Sequence, residues 1–314
     1  IRDYAFENSK LTNIIFPPSV EIIGKSCFVN SFIKTIIIQS NKIQIKERCF
    51  ENCKLLESIE FLNPDSIYIG PNSFCGCEKL NQILIPKMGT TDIELQESCF
   101  SNLKNLCSIE FICKNLTIGN KCFENCVSLT TFSCQSTTIT LFPESFKGCK
   151  KLQQISITKT SLTKFEDNFF SLNNKISIFE LESRSIILNN NTFNNCKLLN
   201  SIRIETEDKI TIQSNIFKGC NNLNKIIIAT QKELILMNEV FSGLNKIEKV
   251  YLTAKEVTIY EKCFNKSFSI NNDNDNIIQI LSESDVNIGN NCFEGSKLVK
   301  VEIKGGRVIL KNES

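Results

Sequence analysis

The sequence predicts a repeat solenoid, about thirteen units of 22–29 residues in which parallel β-strands alternate with short helical or 3₁₀ corners. Two observations carry that prediction: a phenylalanine register, and alternating aliphatic pairs on either side of it. The register is Phe6, Phe28, Phe50, Phe74, Phe100, Phe123, Phe146, Phe170, Phe193, Phe217, Phe241, Phe264 and Phe293. All gaps but the last lie between 22 and 26 residues, and the last is 29.

Each unit opens on an aliphatic pair seven and five residues before its Phe, as in Ile43/Ile45, Ile67/Ile69, Ile93/Leu95, Leu116/Ile118, Ile210/Ile212 and Val257/Ile259. Apolar and polar residues alternate there, the two-residue period of a half-buried strand. Next comes the stretch from Phe to a Leu six residues on, such as Phe50-Glu51-Asn52-Cys53-Lys54-Leu55-Leu56, too short for a full helix. It suits a single helical or 3₁₀ turn presenting Phe and Leu inward. A second alternating pair stands nine and eleven residues after the Phe: Ile59/Phe61, Ile83/Ile85, Ile155/Ile157, Ile202/Ile204, Ile226/Ile228 and Val250/Leu252. One unit cannot bury its apolar side alone, but units stacked at roughly 4.8 Å make a ladder about 60 Å long. Phe50, Phe74, Phe100, Phe123, Phe146, Phe193 and Phe217 are its structural anchors.

The 314 residues read as one solenoid over 1–314, a fragment cut within a repeat at both ends. Ile1 to Phe6 resemble the middle of a unit rather than a signal peptide, and Val308 to Ser314 break off inside one. The 36 basic and 34 acidic residues leave a net charge of +2, which argues against a nucleic-acid partner. No apolar run reaches the roughly 18 residues needed for a membrane span.

The recurrent Leu-x-x-Ile-x-Ile, followed by Ile-x-Ile-x-x-x-Cys-Phe-x-x-Cys, resembles the BspA-like class of leucine-rich repeat. Cys49-Phe50-Glu51-Asn52-Cys53 and Cys122-Phe123-Glu124-Asn125-Cys126 are among its clearest instances, and the resemblance covers nearly the whole chain. It implies an arc-shaped solenoid with a parallel sheet on the concave side. It also implies a cell-surface or secreted protein of the kind found in certain bacteria and parasitic protists, several of which attach to host cells or matrix proteins. The family's Pro-x-Ser-Val after the first strand survives only in Phe16-Pro17-Pro18-Ser19-Val20, so this array is a divergent one.

The sixteen cysteines invite a disulfide or metal reading, but their register opposes it. Six precede the anchor Phe (Cys27, Cys49, Cys99, Cys122, Cys263, Cys292), and six follow it by three (Cys53, Cys77, Cys126, Cys149, Cys196, Cys220). Elsewhere Ala5, Ser73, Ser145, Ser31 and Ser267 fill the same slots, which identifies small-volume packing positions holding free, buried thiols. Cys75, Cys107, Cys113 and Cys134 stand outside the register, and a pairing among them stays open. Zinc needs converging short pairs or histidines, whereas here the spacing is Cys-x-x-x-Cys and the chain has no histidine. That lack also removes the commonest general base and the Ser-His and Cys-His pairs, and no Gly-rich phosphate loop is present. No catalytic, cofactor or metal residue is assigned. Asn271 to Asn276 lack the turn glycine and twelfth-position Glu of a calcium loop, and read instead as a polar insertion near 267–276. Glycosylation sequons stand at Asn115, Asn190, Asn265 and Asn312.

Solenoids commonly bind along one sheet face. Between the two inward residues of the second strand, the outward column reads Ile15, Ile37, Glu60, Leu84, Glu110, Ser133, Ser156, Glu180, Arg203, Ile227, Tyr251, Gln279, Glu302. A second outward column, two residues earlier on the same strands, carries Ile178, Ser201, Lys225, Lys249, Ile277 and Lys300. Arg203 and Tyr251 of the first column and Lys225 and Lys249 of the second, with Glu110 and Glu180 of the first, form the candidate partner face, because Tyr and Arg dominate protein hot spots. The expected function is a non-catalytic adhesion module that binds a host or matrix protein. The alternative is an intracellular, cytoplasmic interaction scaffold, which the unpaired thiols favour.

Overall fold

Isoleucine-rich alternation at a fixed repeat produces parallel strands here, because each coil lays its branched side chains beside the identical positions of the next. The computed structural model describes residues 1–142, 144–165, 170, 175–188, 191–268 and 276–311. It is a parallel-strand β-solenoid of about twelve turns. The chain divides into two compact units, Ile1–Leu152 and Gln153–Ser314.

In unit 1, a sheet of β1 (Asn13–Phe16), β3 (Thr35–Ile38), β5 (Ser58–Phe61) and β7 (Gln82–Leu84) carries the pair that follows each anchor Phe. The pair that precedes each Phe lies on β2 (Ile22–Ile23), β4 (Lys42–Ile45), β6 (Ser66–Ile69) and β8 (Asp92–Leu95). The two long strands β9 (Ser108–Ile118) and β10 (Thr131–Leu141) run through both positions. In unit 2, β11 (Gln154–Phe165) and β12 (Ile178–Leu188) are equally long. They continue as β13 (Ser201–Thr206), β15 (Lys225–Thr230), β17 (Lys249–Ala254), β19 (Ile277–Ser282) and β21 (Lys300–Lys304). A second sheet there holds β14 (Ile210–Ile212), β16 (Glu233–Leu236), β18 (Glu256–Ile259), β20 (Asp285–Ile288) and β22 (Arg307–Leu310).

The anchor phenylalanines form the spine. In unit 1 they stack from Phe6 to Phe146 with ring centroids 5.0–5.7 Å apart. In unit 2 they stack from Phe170 to Phe293 at 5.2–5.6 Å. Phe50, Phe74, Phe100, Phe123, Phe193 and Phe217 are fully buried, and Phe146 is 1% exposed.

The corners correct one expectation. Among the described residues none is an α- or 3₁₀-helix; each is a chain of turns. Backbone conformation alternates in a way no helix allows, because the residues two before and two after the Phe take positive φ. Arg48 (57°) and Asn52 (58°) flank Phe50, and Lys121 (55°) and Asn125 (59°) flank Phe123. Alternate amides therefore point out of the coil and bond the next one: Ser26 N–H to Glu47, Phe28 N–H to Cys49 (2.7 Å) and Asn30 N–H to Glu51. The remaining amides close i→i+3 turns, such as Cys53 N–H to Phe50 O at 3.2 Å. Asn and Gly fill the second left-handed position because both tolerate it. At Gly148 (φ 74°) a Cβ would also stand 2.3 Å from Asn125 Oδ1 of the preceding coil.

All sixteen cysteines are free, fourteen of them buried, Cys75 half-buried and Cys107 exposed. The slot three residues after the Phe is more than a small volume. Cys53, Cys77, Cys126, Cys149 and Cys220 each donate to the anchor Phe carbonyl of the preceding coil at 3.1–3.2 Å. Ser31 and Ser267 make the same bond with a hydroxyl. Cys113 and Cys134, on adjacent strands, are both buried free thiols. Cys134 donates to the Ser136 hydroxyl at 3.3 Å, and Ser136 stands beside Cys113 across the strands.

Candidate partner-binding face

The outward columns assembled from the sequence are ladders in unit 2, whereas in unit 1 Leu84 on β7 and Glu110 on β9 belong to different sheets. In unit 2 the strand registers set Glu180 beside Arg203, Arg203 beside Ile227, Ile227 beside Tyr251, Tyr251 beside Gln279 and Gln279 beside Glu302. Two residues earlier on the same strands, and on the same face, stand Ile178, Ser201, Lys225, Lys249, Ile277 and Lys300. Side chains alternate across a strand, so the residues between these columns, Ile226 and Val250, are fully buried.

Lys225, Lys249 and Tyr251 are contiguous. The two lysines are direct neighbours on β15 and β17, both exposed, and half-buried Tyr251 lies two residues beyond Lys249. Arg203 stands one strand further, separated from Tyr251 by half-buried Ile227. Its guanidinium is partly engaged, with Nη2 2.7 Å from Glu205 Oε1. Glu180, half-buried on β12, faces Arg203. Glu110 belongs to unit 1, where its carboxylate pairs with Lys87. At the far end of the ladder Lys300 (2.5 Å) and Gln279 (2.8 Å) hold the Glu302 carboxyl below its ordinary value.

A third column lies beyond the two found in the sequence. Glu182 faces Glu205 across β12 and β13, and with Lys159, Thr160, Arg184, Glu207 and Gln231 they line a polar cleft of about 540 Å³. Sequence reading stops short of it because the next inward residues are hydroxyl-bearing rather than apolar. Ser183, Thr206 and Thr230 are nonetheless 3–7% exposed. Their hydroxyls donate to the backbone carbonyls of Ser185, Arg184 and Asp208, which is what lets polar groups occupy a core column. The usable signal is the unbroken period of two in Arg203-Ile204-Glu205-Thr206-Glu207.

Among the described residues no three His, Cys, Asp or Glu side chains converge to hold a metal ion, and no helix is long and apolar enough to cross a membrane. The sequon Asn115 lies on β9, its amide donating to Asp92 and its oxygen accepting from Thr138. Asn265 donates to Glu294. Asn190, Asn312 and residues 269–275 of the polar insertion lie outside the described residues.

The family model described as "BspA type Leucine rich repeat region (6 copies)" matches residues 1–126, 68–200, 116–236 and 186–313. No curated protein sequence matches the chain. Among solved structures it is similar to a leucine-rich repeat protein from Bacteroides ovatus, at 20% identity over 90% of this chain and 84% of that one, TM-score 0.33. A leucine rich cell surface protein from Faecalibacterium prausnitzii shares 15% identity over 80% and 82% of the two chains, TM-score 0.36. TLR13 in its complex with ssRNA13 shares 14% over 92% and 51%, TM-score 0.40.

Proposed function

The chain belongs to the BspA-type leucine-rich repeat family, and from that premise we propose that it is a non-catalytic adhesion module engaging a host or matrix protein at the cell surface. Leucine-rich repeat families are in general non-enzymatic scaffolds that bind proteins. The observation that carries the reading to particular residues is the seven-strand ladder of unit 2. The two inward columns nearest the face are apolar, while its outward columns bring Lys225, Lys249, Ile227 and Tyr251 side by side. Aromatic and cationic side chains on a rigid sheet supply contact area at little entropic cost, the composition of interface hot spots.

The test is binding of the wild-type chain and of R203A/Y251A to whole cells and to immobilised matrix proteins, with folding checked by circular dichroism. Loss of binding in the double variant supports the face, and unchanged affinity removes it. One observation favours the rival reading, an intracellular scaffold: sixteen free thiols suit a reducing compartment. Fractionation of cells that make the natural protein separates the two, since an adhesion module partitions to the surface or the medium.

A further inference from the structure

Like charges set directly opposite each other on neighbouring strands repel, and the two acidic pairs of this kind in unit 2's strand registers, one in each of its sheets, have a compensating cation. Glu182 faces Glu205, and Glu205 is paired with Arg203 at 2.7 Å. Glu233 faces Glu256, and Glu233 is paired with Lys209 at 2.6 Å. Lys225 faces Lys249, and among the described residues neither makes an ion pair. Their Cα atoms are one strand spacing apart, roughly 4.8 Å, so two exposed lysines share one patch of surface. Along the same strands, on the same face, half-buried Ile227 and Tyr251 follow them.

This deepens the binding-face reading and rests on it: we infer that Lys225 and Lys249 together receive a carboxylate of an acidic protein segment, while Ile227 and Tyr251 take an apolar side chain next to that acid. The two rows lie two residues apart on each strand, so the complementary segment is extended, with its acid and its apolar side chain also two residues apart. The cations supply charge complementarity and the second row supplies apolar contact, which a free anion would not use.

The probe is a fluorescein-labelled peptide made of repeats of Glu-Ser-Leu-Ser, beside a control with Gln for Glu. The whole chain is expected to bind the Glu peptide in preference to the Gln peptide, and more weakly as salt is raised. K225A/K249A should weaken binding about tenfold, whereas K150A/K151A, which removes two exposed lysines of unit 1, should leave it unchanged. Absence of binding, equal binding of both peptides, or equal loss in both double variants overturns the inference. Tighter, Lys225- and Lys249-dependent binding of heparin than of the Glu peptide also overturns it, in favour of a sulfated glycan. If the peptide arms fail while R203A/Y251A still loses its protein partner, the binding face stands and only its acid specificity falls.

Discussion

The aromatic column runs from Phe6 to Phe146 in unit 1 and from Phe170 to Phe293 in unit 2, with overlapping centroid spacings of 5.0–5.7 Å and 5.2–5.6 Å. Over this shared spine the units diverge. Twelve of the sixteen cysteines lie in unit 1 and four in unit 2. The outward column of unit 1 begins Ile15, Ile37, Glu60, Leu84, with Ile15 58% and Leu84 46% exposed. That of unit 2 runs from charged to apolar and aromatic in Glu180, Arg203, Ile227, Tyr251. A solenoid permits this because each coil is held to its neighbours by backbone ladders and inward side chains, so outward residues vary at little cost to the core.

The comparison breaks most sharply if the spine is not equivalent in the two units. Phe123→Ala and Phe217→Ala each remove a fully buried ring stacked on both sides, and each should cost about 3–5 kcal/mol in urea unfolding. Phe6, 39% exposed and stacked only on Phe28, should cost clearly less. Equal losses at Phe6 and Phe123 would show that burial within the stack does not govern stability.

The thiol asymmetry gives the next effect. Burial pushes Cys220 and Cys292 up to about 12, and Cys49, Cys77, Cys122, Cys126 and Cys263 well above the ordinary thiol. An unfolded thiol loses its proton near pH ~8.5. Above that value the unfolded chain releases protons that the folded chain keeps. Stability is thus fully present below pH ~8.5 and falls as pH rises toward about 12, by up to ~1.4 kcal/mol per pH unit for each such thiol. The urea midpoint should drop between about pH 8 and 10, and C77S/C126S should flatten that drop. A midpoint indifferent to pH over that range refutes the account.

How much of this was legible in the sequence follows from what each side chain announces. Strand positions, the Phe spine and both outward ladders were readable, because branched apolar residues at a period of two have few alternative uses. The corners are less legible. A seven-residue stretch with Phe and Leu six apart fits one turn of helix as well as a chain of turns, and the mark of left-handed backbone is the recurrent Asn52, Asn125, Asn195 and Gly148, Gly219. The third outward column escaped because Ser183 and Thr206 look exposed by type and are buried by hydrogen bonding. Within the candidate face, the sequence put Lys225, Lys249 and Tyr251 in one place, while the Arg203–Glu205 pair depends on rotamers that no column order reveals.

The corner gives a smaller prediction. Gly148→Ala should cost at least about 1–2 kcal/mol, since an L-residue pays that much for positive φ and the new methyl meets Asn125 Oδ1. Asn125→Gly keeps the left-handed residue and should change stability by only a few tenths of a kcal/mol. Pairing the two substitutions sharpens the point: G148A should be partly rescued by N125G, which clears the space the methyl needs. Failure of that rescue would leave backbone strain as the whole effect.

The smallest effect separates the two accounts of the slot three residues after each Phe. If the slot only excludes volume, Cys126→Ser and Cys126→Ala should be alike, each small. If the thiol matters as a donor to the Phe100 carbonyl, at 3.2 Å, serine keeps the bond and alanine loses it. Serine and alanine should then differ by about 1 kcal/mol, the net worth of one intramolecular hydrogen bond. Unit 2 supplies the converse, because Ser267 already donates to Phe241 and its replacement by Cys should be nearly neutral. C126S as damaging as C126A would remove the donor role, and the twelve-to-four division of cysteines would then reflect volume alone.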